Sequence, residues 1–179
     1  MHLARTRTLF FLAFVASAST LGGALYLEYI VGLVPCPLCV VQRALIAACM
    51  LICLCASWHG PGGRGWLRYS AALLICAVFG VYAASRQVWL QSSPPDDLVA
   101  CLLNVQYMFD NLSLARMLWE TLLGHADCAE INWSLFGITL PEWSMLVFVG
   151  LMLFALVHFV LGWRRHASAK TAGRDETTV

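Results

Sequence analysis

Apolar positions along this chain run together more than they alternate with polar ones. Four long hydrophobic stretches, about residues 8–27, 40–58, 69–85 and 143–163, approach the ~20 residues that an α-helix needs to cross a bilayer. A helix apolar all round belongs in a large core or in lipid. Polar residues gather between these stretches, at about 28–39, 59–68 and 87–142, and in a polar tail at 164–179 that is expected to be disordered. Pro94 and Pro95 should break any helix that follows the third stretch. Inside the long second outer connection, positions 112, 115, 118, 119 and 122 are apolar at helical spacing, with Ser113, Arg116 and Glu120 on the other face. That pattern suits a short helix, either flat on a membrane surface or packed within the loop. The whole predicts an all-α membrane protein: one four-transmembrane-helix bundle with a long outer loop.

Composition strengthens this reading. Of 179 residues, 60% are hydrophobic and only 12% charged, and the mean hydropathy is +0.75. A soluble domain of this length could not hide so much apolar surface. The first stretch also has features of a secretory signal, with Arg5 and Arg7 before "TLFFLAFVA" and then "SAS". The apolar run continues to Leu27, however, which favours a retained helix.

The net charge of +1 gives no reason to expect a nucleic-acid partner, but its distribution is informative. Arg5, Arg7, Arg64, Arg68, Arg164, Arg165, Lys170 and Arg174 all flank the ends that share one side of a four-span topology, which is 8 of the 11 basic residues. That side is expected to be the cytoplasm, with both termini inside. The first and third connections, 28–39 and 87–142, then face outward.

Eight cysteines divide along the same line. Cys49, Cys53, Cys55 and Cys76 fall inside predicted helices, where a thiol packs as a small apolar side chain. Cys36, Cys39, Cys101 and Cys128 fall in the two outward loops, where an oxidising compartment permits disulfides. A Cys101–Cys128 bond would close a loop of about 28 residues, worth roughly 3–4 kcal/mol of chain entropy. A Cys36–Cys39 bond closes almost no loop, so stapling does not account for that pair.

The stretch "PCPLCVVQRA" gives a better account of it. Proline favours the first helical position, which makes Pro37 the first residue of the second helix, Cys36 its cap and Cys39 part of its first turn. Unpaired amides and the helix dipole favour an anion there, so a thiolate at Cys39 should be stabilised. Arg43 follows one turn later on the same face as Cys39, about 6 Å along the axis. An arginine in apolar sequence is costly, and it either snorkels to the surface or supports a thiolate and an electron acceptor. Gln42 is the adjacent candidate hydrogen-bond donor. Cys36-x2-Cys39 with His125-x2-Cys128 also has the form of a zinc ligand set, but it would leave Cys101 unpaired. Two exchange-competent pairs at a bilayer suggest a relay through mixed disulfides. With no haem or dinucleotide motif in the sequence, a lipid-soluble quinone is the natural terminus. Metal is not expected.

These residues resemble the DsbB family of bacterial inner-membrane oxidoreductases. The resemblance rests on four helices, a CxxC at the start of the second, "PCPLCVVQR", and "DCAEINWSLFGITLPEW" leading into the last helix. It implies an enzyme that reoxidises a periplasmic thioredoxin-fold oxidase of the DsbA kind and passes the electrons to ubiquinone or menaquinone. It further implies that Cys101 forms the mixed disulfide with that partner and that Cys128 then pairs with Cys36. Cys39 would be freed to meet the quinone, with Arg43 supporting the site. A carrier running in the reductive direction, and a non-enzymatic stapled or zinc-binding bundle, are the competing readings.

Overall fold

A computed structural model of the protein describes residues 2–33, 35–92 and 134–175. Four long helices dominate the described residues: α1 His2–Tyr29, α2 Pro37–His59, α3 Gly63–Ser92 and α4 Leu140–Asp175. A two-stranded hairpin, β1 Ser134–Leu135 and β2 Ile138–Thr139, leads into α4. Within the helices, Thr6–Tyr29, Pro37–His59, Gly65–Ser92 and Leu140–Arg164 are each long and apolar enough to span a membrane. The protein is an all-α, four-helix membrane bundle.

Every helix runs past the apolar stretch that predicts it. Hydropathy marks the part a bilayer would cover, whereas the backbone goes on satisfying its own hydrogen bonds until something stops it. α3 begins at Gly63 and ends at Ser92, against the expected 69–85, stopping just short of Pro94, where proline disfavours helical geometry. α4 continues to Asp175, although a disordered tail was expected from residue 164. Its extension, "RRHASAKTAGRD", is rich in Arg, Lys and Ala, which hold helix well, and has no proline. The expected helix at 112–123 lies outside the described residues.

Local chemistry explains the helix ends. α2 closes at Gly60, which takes the left-handed conformation (φ 50°, ψ 46°) and donates its N–H to the Ala56 carbonyl at 3.2 Å. α4 opens with a capping box: the Glu142 carboxylate accepts the Thr139 backbone N–H at 2.6 Å, three residues back. Thr139 Oγ1 also lies 3.2 Å from Gln91 Oε1, which ties the start of α4 to the end of α3. The hairpin turns at Phe136 and Gly137, both with positive φ, as a two-residue turn between right-twisted strands requires.

The helices pack α3 on α4 most extensively, then α1 on α2 and α2 on α3. At Gly80 a Cβ would stand 2.2 Å from the Phe148 ring, so glycine is what lets α3 and α4 approach so closely. Phe10, Cys49, Cys53, Ala56, Leu73, Ala77, Phe148 and Ala155 form the core. Direct packing of α1 on α4 is sparse, and Phe10 bridges the two helices by edge contact with Phe154 at 5.1 Å.

A dithiol site at the start of α2

Cys36 caps α2 in extended geometry (φ −73°, ψ 162°), Pro37 occupies the first turn, and the Cys36 sulfur accepts the Cys39 N–H at 3.3 Å. Proline supplies the φ a helix needs and carries no N–H to leave unpaired. The two Sγ atoms lie 2.8 Å apart. Both belong to a small apolar cluster with Leu38 and Leu90, which carry them beneath the surface of the bundle.

Polar groups close around the sulfurs from two helices. Gln87, buried on α3, directs its amide nitrogen at both, 3.3 Å from Cys36 Sγ and 3.2 Å from Cys39 Sγ. Its amide oxygen accepts from Gln42 Nε2 at 2.7 Å, and Gln42 is buried as well. A buried amide left unpaired would cost about 1–3 kcal/mol, so this pair fixes the α2–α3 register as well as lining the site.

Arg43 is partly buried one turn below Cys39. It forms an ion pair with Glu28 in the last turn of α1 and donates to the Ala24 carbonyl at 3.1 Å. Its charge is therefore matched and its guanidinium held between α1 and α2, which lowers the cost of an arginine at this depth. Cys39, Gln42 and Arg43 then face a cavity walled by Thr20 and Ala24 of α1, Ile46 of α2, and Leu140, Ser144 and Phe148 of α4. The cavity thus lies where α1, α2 and α4 meet.

The cavity supplies what a quinone headgroup requires: an apolar wall, a guanidinium with N–H groups to spare for a carbonyl oxygen, and a sulfur beside them. At ≈ 30 Å³ it is the size of a single water and cannot enclose a ring. The residues fit a headgroup held against this wall rather than enclosed within it.

The interior cysteines are placed differently. Cys49 and Cys53 are fully buried in the apolar core, Cys76 donates to the Leu45 carbonyl at 3.4 Å, and Cys55 is exposed on the outer face of α2. Arg86 stacks over Trp89 at 4.4 Å. Cys101, Cys128 and His125 lie outside the described residues, so the structure brings together Cys36, Cys39, Gln42 and Arg43 of the expected site. Sequence reasoning gave Glu28 to a loop and Gln87 no role. The signal for Gln87 was its place on the buried stripe Leu73, Ala77, Ala84 and Leu90 of α3, where a polar side chain needs a partner.

Comparison with known proteins decides the family. The profile described as "Disulfide bond formation protein DsbB" matches residues 6–158. The chain belongs to the DsbB family. "Disulfide bond formation protein B 1" of Pseudomonas aeruginosa is 47% identical over 160 residues, covering 89% of this chain and 98% of the relative. "Disulfide bond formation protein B 2" of Pseudomonas syringae is 49% identical, covering 87% and 89%. At greater distance, "Disulfide bond formation protein B" of Methylococcus capsulatus is 36% identical, covering 89% and 97%. Membership in the DsbB family makes the chain a multi-pass membrane oxidoreductase of disulfide formation.

Proposed function

We propose that the protein is a thiol:quinone oxidoreductase of the bacterial inner membrane that reoxidises a periplasmic thioredoxin-fold dithiol oxidase of the DsbA kind. The observation that carries this reading is the position of Cys39: one sulfur of a CxxC that also lines a cavity with Arg43. Both termini face the cytoplasm in this reading, because 8 of the 11 basic residues flank the ends on that side.

Electrons enter at Cys101. The partner's thiolate attacks the Cys101–Cys128 disulfide at Cys101, and the partner's second thiol resolves the mixed disulfide, leaving the partner oxidised. Cys128 then attacks Cys36, the Cys36–Cys39 bond breaks, and Cys39 is released as the thiolate. Cys101 attacks Cys128 in turn, which restores the outer disulfide and leaves Cys36 and Cys39 as a dithiol. Return of this dithiol to its disulfide needs a two-electron acceptor, the chemistry that ubiquinone or menaquinone would supply when bound. Arg43 and Gln42 would hold the headgroup, with Glu28 and the Ala24 carbonyl keeping the guanidinium from turning away.

Purified protein given reduced partner and ubiquinone should oxidise the partner over many turnovers. A Cys39→Ser protein that matches the parent rate would overturn the relay, and tightly held stoichiometric zinc would revive a metal-binding role.

A further inference from the structure

The Gln87 amide touches both sulfurs of the CxxC while its oxygen is occupied by Gln42. That second bond is informative. An isolated glutamine could present either end of its amide; with its oxygen paired to the Gln42 N–H, the N–H₂ group is the end that faces the sulfurs. Cys39 Sγ also lies 3.7 Å from Gln87 Oε1, so the same amide offers a donor to a thiolate and an acceptor to a thiol. Both glutamines are at least nine-tenths buried, so water cannot substitute for either.

We propose that Gln87 is a catalytic residue that stabilises the sulfur leaving the Cys36–Cys39 disulfide, with Gln42 as the positioning residue that fixes the orientation of its amide. The inference rests on the exchange function proposed above and assigns that chemistry a group from α3. In the step concerned, an incoming thiolate attacks Cys36 Sγ, which caps the helix next to the loop. A new S–S bond forms to Cys36, the Cys36–Cys39 bond breaks, and its electron pair stays on Cys39 Sγ. No proton or further oxidant is required. The negative charge that develops on Cys39 meets an N–H donor already in place, and a hydrogen bond to a charged group is stronger than one to a neutral group.

The test needs neither quinone nor protein partner. Full-length protein with Cys101→Ala and Cys128→Ala is purified in detergent, oxidised to the Cys36–Cys39 disulfide and exposed to excess glutathione. The released thiol is trapped with N-ethylmaleimide and located by mass spectrometry. The expected result is glutathione on Cys36 and maleimide on Cys39, with opening slowed about tenfold in Gln87→Met. Methionine keeps the length and bulk of glutamine without its donor. Gln42→Met, which leaves Gln87 in place but frees its amide to turn, should slow opening by a smaller factor. A merely structural role predicts the opposite sign, since a loosened site exposes the disulfide and speeds its opening. Opening at or above the parent rate in either variant, or glutathione attached to Cys39, would overturn the proposal. Failure of the parent protein to oxidise the partner, with opening still slowed in Gln87→Met, would count against the relay and leave the role of Gln87 standing.

Discussion

α2 and its cap residue carry five cysteines, and the two ends of the helix treat them in opposite ways. At its start, Cys36 and Cys39 sit 2.8 Å apart beneath a buried amide, with an arginine one turn below. About three to five turns on, Cys49 and Cys53 are sealed among Phe10, Ala56, Leu73 and Phe148. The side chain is the same, so the difference in chemistry comes from what surrounds it. A thiol becomes reactive where the structure stabilises its anion and admits a partner, and it is inert where neither is provided.

The strongest way to break this comparison is to remove a sulfur from the polar end. Cys39→Ser should reduce quinone-dependent oxidation of the partner by about a thousandfold or more, since an essential nucleophile is lost. Steady-state turnover with a DsbA-like substrate measures it, and an active variant would put the chemistry elsewhere. Arg43→Met comes next. It should raise the apparent KM for quinone about ten- to a hundredfold through loss of charged hydrogen bonds, while membrane insertion holds. If insertion collapses and the surviving protein keeps its quinone kinetics, the arginine is only a topological anchor.

Gly80→Ala sharpens the boundary between the two regions. The new Cβ meets Phe148, which belongs to both the core and the wall of the cavity. Overpacking should cost about 1–3 kcal/mol, read as a lowered unfolding temperature in detergent, and should weaken quinone binding through the displaced ring. A stability loss with unchanged quinone KM would show that core and cavity are mechanically separate. Smallest of all is Cys49→Ala, expected to change stability by about 1 kcal/mol and leave turnover as it was. A loss of turnover would bring the interior thiols into the relay.

Much of the bundle was legible in the sequence because lipid imposes a simple requirement: runs of about 20 apolar residues, bounded by charges. The opening of α2 was equally readable, since a proline after Cys36 leaves few options for how the helix begins. The helix ends were not. Hydropathy falls at the interface while the helix continues, as it does from residue 164 to Asp175 of α4. Side-chain pairings between helices were also beyond reach. Glu28 reads as an acidic loop residue until α1 extends to Tyr29 and brings it to Arg43. Gln87 reads as one polar residue near a helix end until α3 is docked on α2. Such pairings depend on relative rotation, which no single segment encodes.

The central claim is that the CxxC at the start of α2 is the pair that reduces quinone. A single-turnover experiment tests it without any protein partner. Protein whose six other cysteines are replaced by alanine is fully reduced, freed of reductant and mixed with ubiquinone in detergent, and the fall in quinone absorbance is followed. The account predicts one quinone reduced per chain, with Cys36 and Cys39 recovered as a disulfide. If no quinone is reduced, or if reduction persists after Cys39→Ser is added, the electrons leave by another route and the account is wrong.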